Sequence, residues 1–231
     1  MSISSARETF DRLLQEQLDE VLILGSMVEK AVRESVDALK RRDIQTARRI
    51  YAEDQRINEK RYAIEHACIA LIATQQPMAR DLRLLAAILE IITELERIGD
   101  YAKGIARINI HLGDQPLAKP LVDIPKMAEI GLDMLHRALG AFITKDAEIA
   151  RSIPQEDDVI DELYNRTYME LLAIMTADPT KINGATYLLW AAHNLERLAD
   201  RVTNICERIL FVVTGEMKEF DQSDDEATAL D

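Results

Sequence analysis

The sequence predicts an all-α protein made of two copies of a three-helix unit, six long helices in total. Three observations lead there. Glycine (8) and proline (6) are sparse in 231 residues, which favours long helices over strands and turns. Apolar residues recur in steps of three and four through most of the chain, the period of one helix face. The stretch Glu94-Leu95-Glu96-Arg97-Ile98-Gly99-Asp100 returns one hundred positions later as Asn194-Leu195-Glu196-Arg197-Leu198-Ala199-Asp200. Self-similarity at a single long period marks a duplicated domain rather than a solenoid.

The first helix, about residues 5–41, carries a seam of Leu14, Leu18, Val21, Gly25, Val28, Val32, Ser35 and Leu39. Gly25 and Ser35 are small enough to admit a neighbouring backbone. Asp43 is placed to cap a second helix over 44–74. Its inward line is Ala47, Ile50, Asp54, Ile57, Arg61, Ile64, Cys68 and Leu71, so two charges interrupt an apolar seam. Gln76-Pro77 breaks the chain. A third helix over 78–112 has Leu85, Leu89, Ile92, Glu96, Gly99, Lys103 and Ala106 inward, which puts Glu96 on the seam and Asp100 beside it. Residues 1–115 thus form the first repeat, followed by a linker to about 120.

The second repeat, 121–214, follows the same plan. A fourth helix over 122–144 turns Met127, Met134, Leu135, Ala138 and Phe142 inward. Asp146 caps the fifth as Asp43 caps the second, and Asp54/Asn58 align with Asp157/Asp161. Pro154 is expected to kink or restart that helix. The sixth, over 181–214, has Leu189, Ala192, Glu196, Ala199, Thr203 and Cys206 inward. Residues 215–231 are acidic and nearly free of large apolar side chains, and are expected to be disordered.

Composition narrows the function. Hydrophobic content of 48% is enough for a core, and 30% charged residues make a soluble surface. A net charge of −13 disfavours nucleic acid as a partner, since phosphate binding needs a basic footprint. Lys40-Arg41-Arg42 and Arg48-Arg49 read as solvated helix ends. Cys68 and Cys206 lie among apolar residues and read as core thiols, which fits a reducing cytoplasm. Met1 to Asp11 is polar, unlike a signal peptide, and no apolar run approaches the ~20 residues that span a bilayer. A cytoplasmic location is the expectation. Trp190 and the methionines read as core. His66, His111, His136 and His193 read as surface or packing residues. There is no Gly-rich phosphate loop, no Gly-x-Ser-x-Gly and no Cys-x-x-Cys.

Each half carries acidic or amide side chains four apart on two helices. They are Asp54/Asn58 with Glu96/Asp100, and Asp157/Asp161 with Glu196/Asp200. That spacing puts both side chains of a pair on one helix face, ~5–6 Å apart at Cβ. Two carboxylates ~4 Å apart repel by about 4 kcal/mol at an effective dielectric of ~20. Three or four gathered together need a cation, shared protons or basic partners. Oxygen-rich sites suit Mg²⁺, Mn²⁺ or Ca²⁺, and also iron. The other reading is an ion-pair network, with Arg61, Arg97 and Lys103 serving the first half and Arg197 and Arg201 the second. Asn58 makes the first half the poorer cation site.

Gln76-Pro77 followed by Asp81-Leu82-Arg83-Leu84 and then Glu94 to Asp100 resembles the first half of the PhoU family. Leu195 to Asp200 with Asn204-Ile205-Cys206 resembles its second half, and the resemblance runs from about Phe10 to about Phe211. It implies two tandem three-helix bundles related by a pseudo-two-fold. It implies a non-enzymatic negative regulator of phosphate uptake and phosphate-starvation signalling. Such a protein is an adaptor between the ATPase subunit of a phosphate ABC transporter and a sensor histidine kinase, reaching the membrane peripherally through them, and it leaves room for a homodimer. It also implies iron, or another divalent metal such as Mn, Mg or Zn, on Glu/Asp-x-x-x-Asp motifs. Those ligands become Glu96, Asp100, Glu196 and Asp200, with Asp54, Asp157 and Asp161 from the facing helices. Ala199 in place of Gly99, and Gly104 against Asn204, are departures between the two copies. The competing readings are a carboxylate-bridged di-metal helical-bundle enzyme, against which the missing Glu-x-x-His pairs count, and a structural protein with ion-paired seams.

Overall fold

Seven α-helices and two 3-10 turns make up the computed structural model, which describes residues 3–217 and 220, with side chains from residue 7 onward. In order they are α1 (Ile3–Arg41), α2 (Ile44–Gln75), α3 (Ala79–Leu112), α4 (Asp123–Thr144), α5 (Ala147–Ser152), α6 (Asp157–Ala177) and α7 (Ile182–Thr214). There is no strand among the described residues. The expected fifth helix is one rod interrupted by a 3-10 turn, Ile153–Glu156, with Pro154 near its start. Proline has no N–H to continue the α-helical ladder, so the rod restarts as α6.

The helix ends explain the two hairpins. Asp43 accepts hydrogen bonds from the Thr46 amide at 2.9 Å and its hydroxyl at 2.7 Å. Asp146 accepts from the Glu148 and Ile149 amides, both at 3.0 Å. Each is preceded by a left-handed residue, Arg42 (φ 60°) and Lys145 (φ 55°), so the α1–α2 and α4–α5 turns are built alike. In the first turn, buried Asn109 of α3 donates to the carbonyls of Ala38 (3.0 Å) and Asp43 (3.2 Å).

α3 and α7 run antiparallel along the middle of the molecule. Arg83 meets Gly215, Glu90 pairs with Arg208 (3.0 Å), Glu94 with Arg201 (3.4 Å), Gly104 faces Asn194, and His111 stacks on Tyr187. These pairings place Gly99 level with Ala199, the equivalent residues of the two repeats. The pseudo-two-fold therefore passes through mid-height between them. α1 packs on α3 and α4, and α4 on α7, which closes a central four-helix layer. α2 lies against α1 and α3, and α6 against α4 and α7, on opposite flanks.

One apolar core runs through both repeats and includes Val21, Leu24, Ile92, Leu95, Ile98, Leu135, Phe142 and Leu198. The whole expected α1 seam is buried. Gly25 is the point where α4 crosses α1, since a Cβ there would sit 2.3 Å from Leu139 Cδ1. Cys68 and Cys206 are buried free thiols, and burial pushes both pKa values up to about 12, which keeps them protonated and unreactive. No helix among the described residues is long and apolar enough to cross a membrane.

Two expectations need comment. Trp190 is not core: it is 54% exposed on the outer face of α7, edge-on to Tyr187 at 5.7 Å. Of the expected disordered tail, residues 218, 219 and 221–231 lie outside the described residues. Phe220 packs against the core and donates its N–H to buried Glu207 (3.0 Å).

Asn109→Ala removes two hydrogen bonds and leaves the Ala38 and Asp43 carbonyls with only the Asp43 and Ala47 amides as donors, which costs about 1–3 kcal/mol for the two bonds. Urea unfolding of the two proteins is expected to show the loss as a lower midpoint at unchanged slope.

Candidate metal centres in the two outer grooves

The two carboxylate clusters lie in the α2–α3 and α6–α7 grooves, at mid-height on either side of the pseudo-two-fold. Helix geometry does the placing. α2 and α6 each show two residues four apart to the adjoining edge of α3 or α7, where Glu96/Asp100 and Glu196/Asp200 repeat the spacing.

In the first groove Asp54 is 5% exposed. Its Oδ2 accepts from Lys103 Nζ at 2.6 Å, and the same ammonium is 3.9 Å from Asp100 Oδ1. Asp54 Oδ1 and Asn58 Oδ1 are buried without a hydrogen-bond partner. Burial raises the Glu96 carboxyl pKa, with Asp100 adding to it, while Arg61 and Arg97 oppose the rise. Asp100 is raised by burial and by Asp54, against Lys103 and Arg97.

In the second groove Asp157 finds less relief. The Asp157 carboxyl is pushed up to about 7, first by burial and then by Asp161, Asp200, Glu196 and Asp158. Its Oδ1 and the Thr203 hydroxyl are buried without a hydrogen-bond partner. At the rim, His193 Nδ1 lies 3.0 Å from Glu196 Oε2 and Arg197 Nε 3.5 Å from Asp200 Oδ2. All four acids interact, yet no group of three or more His, Cys, Asp or Glu side chains among the described residues is arranged to hold an ion as it stands. Closing such a site requires rotation about the side-chain torsions. The donor set fits a hard cation: carboxylate oxygens in excess, with one of them and the Thr203 hydroxyl both buried and unsatisfied.

A family model described as the PhoU domain matches residues 21–108 and again 124–209. This chain belongs to the PhoU family. It is 36% identical over 219 residues to the phosphate-specific transport system accessory protein PhoU homolog of Clostridium acetobutylicum, covering 94% of this chain and 99% of that one. It is 39% identical over 198 residues to the Caulobacter vibrioides NA1000 homolog, covering 85% and 86%. Among solved structures, the phosphate transport system regulatory protein PhoU from Streptococcus pneumoniae superposes with a TM-score of 0.85 at 34% identity, over 91% of this chain and 100% of that one. PhoU from Pseudomonas aeruginosa gives 0.85 at 33%, over 90% and 100%.

Within this PhoU fold the acids of α3 and α7 sit at the groove mouths rather than on the innermost seam. The Asp100 side chain is 48% and that of Asp200 38% exposed, and the innermost positions of α3 are Leu95, Ile98 and Ala102. The reason is that α3 and α7 are each covered on several sides, so a three-four line of residues traces the edge of a wide buried arc. Glu94, outside the expected set, pairs with Arg201 across the α3–α7 contact. His193, Tyr164 and Thr203 were also outside it. Alignment of the repeats marks the last two, because Tyr164 stands at the position of Arg61 and Thr203 at that of Lys103.

The Asp157 shift sets a pH dependence. A carboxyl raised from 3.8 to about 7 on folding binds a proton that the unfolded chain releases. Its contribution to stability is complete below about 4 and is lost as pH rises through about 7. Asp157→Asn removes the ionisation. In chelator-treated protein the variant is expected to melt several degrees above wild type at pH 8, and at the same temperature at pH 4. Parallel melting curves across that range would contradict the assignment.

Proposed function

We propose that this protein is a regulatory accessory component of a phosphate-specific transport system. In this reading it acts in the cytoplasm as a non-enzymatic adaptor, joining the ATPase subunit of the transporter to a sensor histidine kinase and restraining uptake and starvation signalling when phosphate is plentiful. The observation that carries it is the family match over both repeats, together with the relatives named as accessory proteins of phosphate-specific transport that align along nearly the full chain. The physics of the surface is consistent with an adaptor. Long exposed helical faces remain once the four central helices and their flanks have buried their seams, and apolar side chains such as Ile69, Leu82, Trp190 and Met169 stay in contact with water.

A divalent cation of the class that oxygen donors suit, Mg²⁺, Mn²⁺, Ca²⁺ or iron, belongs in this reading at Asp157, Asp161, Glu196 and Asp200. What it supplies is charge. Carboxylates that repel one another across α6 and α7 become a clamp between those helices. The first groove, with Asp54, Glu96 and Asp100, already holds the Lys103 ammonium and fits the ion less well. The cation thus serves the scaffold, while partners meet exposed helical surface.

Two measurements test this. In a bacterium lacking its own PhoU homologue, expression of the chain is expected to restore repression of a phosphate-starvation reporter in phosphate-rich medium; an unchanged reporter would overturn the functional reading. The Glu196→Ala/Asp200→Ala variant is expected to lose the rise in melting temperature that Mn²⁺ gives wild type. It should still be captured by the immobilised ATPase subunit. Lost capture with an unchanged response to Mn²⁺ would place the acids on the partner surface instead.

A further inference from the structure

The two clusters have the same ancestry but unequal charge balance. In the first, three carboxylates (Asp54, Glu96 and Asp100) are accompanied by Lys103 and Arg61. In the second, four carboxylates (Asp157, Asp161, Glu196 and Asp200) have Thr203 and Tyr164 at the same two positions. Arg97 and Arg197 sit at equivalent places on the rims and do not distinguish the sites.

The Lys103 ammonium has a built seat. It lies 2.6 Å from the buried Asp54 Oδ2, 3.9 Å from Asp100 Oδ1, and 5.6 Å above the Tyr51 ring centroid. A carboxylate and an aromatic face on the same ammonium hold it by both ion pairing and cation–π attraction. Each part of this seat that is not an acid is lost in the second repeat. Lys103 becomes Thr203, and Tyr51 becomes Pro154, the residue that breaks the fifth helix. An ammonium is a compact point charge whose three N–H donors meet carboxylate oxygens, and so is the nearest side-chain equivalent of a bound cation. Beside the pair opens a cavity of about 140 Å³, lined by apolar Met27, Ile50 and Ile57 and by charged Lys30, Glu34 and Arg56. Lys103 borders that space without filling it, so the ammonium is held by its partners and not by tight packing.

We propose that Lys103 is a resident cation that closes the first cluster to metal, so that each chain takes one divalent ion, in the second repeat. This rests on the cation reading of the second cluster given above. The duplicated fold then contains one exchangeable positive charge and one fixed one. The identity of residue 103 against residue 203, rather than the acidic motif itself, decides which half takes up metal.

The test exchanges those residues. Equilibrium dialysis against Mn²⁺ followed by elemental analysis counts ions per chain in wild type, Lys103→Thr and Thr203→Lys, with circular dichroism confirming that each is folded. The expected counts are one, two and none, and the gain in melting temperature from Mn²⁺ should vanish in Thr203→Lys. Two ions in wild type would overturn the proposal, as would equal counts in wild type and Lys103→Thr. No ion in wild type but one in Lys103→Thr would overturn the reading of the second cluster while sustaining the role of Lys103. If Lys103→Thr does not fold, Thr203→Lys decides: retention of the ion there overturns the proposal, and its loss upholds it.

Discussion

α3 and α7 lie antiparallel, with Gly99 level with Ala199, and the remaining helices take their places from that contact. It brings the two copies of the repeat together at equivalent residues, which is what creates the pseudo-two-fold. Its ion pairs, Glu94 with Arg201 and Glu90 with Arg208, sit beside fully buried Leu95, Ile98, Ala102, Leu195 and Val202. Partly buried pairs of this kind add little net energy but penalise sliding, because a shift by one turn would leave each charge opposite the wrong partner. With that register set, α1 and α4 close the layer and α2 and α6 fall on the flanks, so both carboxylate grooves end at the same height.

Much of the architecture was legible in the spacing of apolar residues. The α1 seam from Leu14 to Leu39 is buried as read, and on α2 every member of the expected line except Arg61 is buried. Asp43 and Asp146 could be identified as caps because an aspartate directly before a helical pattern has a local role that tertiary context does not override. Pro154 was legible for the same reason. Where the seams met more than two neighbours, legibility fell. α3 and α7 bury a wide arc, and a single line of residues cannot show where that arc ends, so Glu96 reads as inward when it stands at an edge. Trp190 was misread because a large apolar residue at helical spacing carries no mark of which face is left uncovered.

The charge balance of the two grooves was written in the alignment but not readable from it alone. Arg61 and Lys103 were visible as possible partners for several acids. Which acid each would meet depends on how α2 is rotated against α3, and that rotation is a property of the packed bundle. The structure gives Lys103 its hydrogen bond to Asp54, 49 positions away, at 2.6 Å, and leaves Asp100, one turn back on its own helix, at 3.9 Å. Local spacing names the candidates, while tertiary rotation chooses among them.

Trp190 is the single tryptophan of the chain, and it stands half in water on the α3–α7 rim, next to Tyr187 and His111. Its indole therefore begins in a polar environment and meets a similar one when the chain unfolds. Intrinsic emission will follow the docking of anything that shields this rim, while remaining nearly blind to melting of the core. The protein carries a native optical label that reports on one patch of its surface.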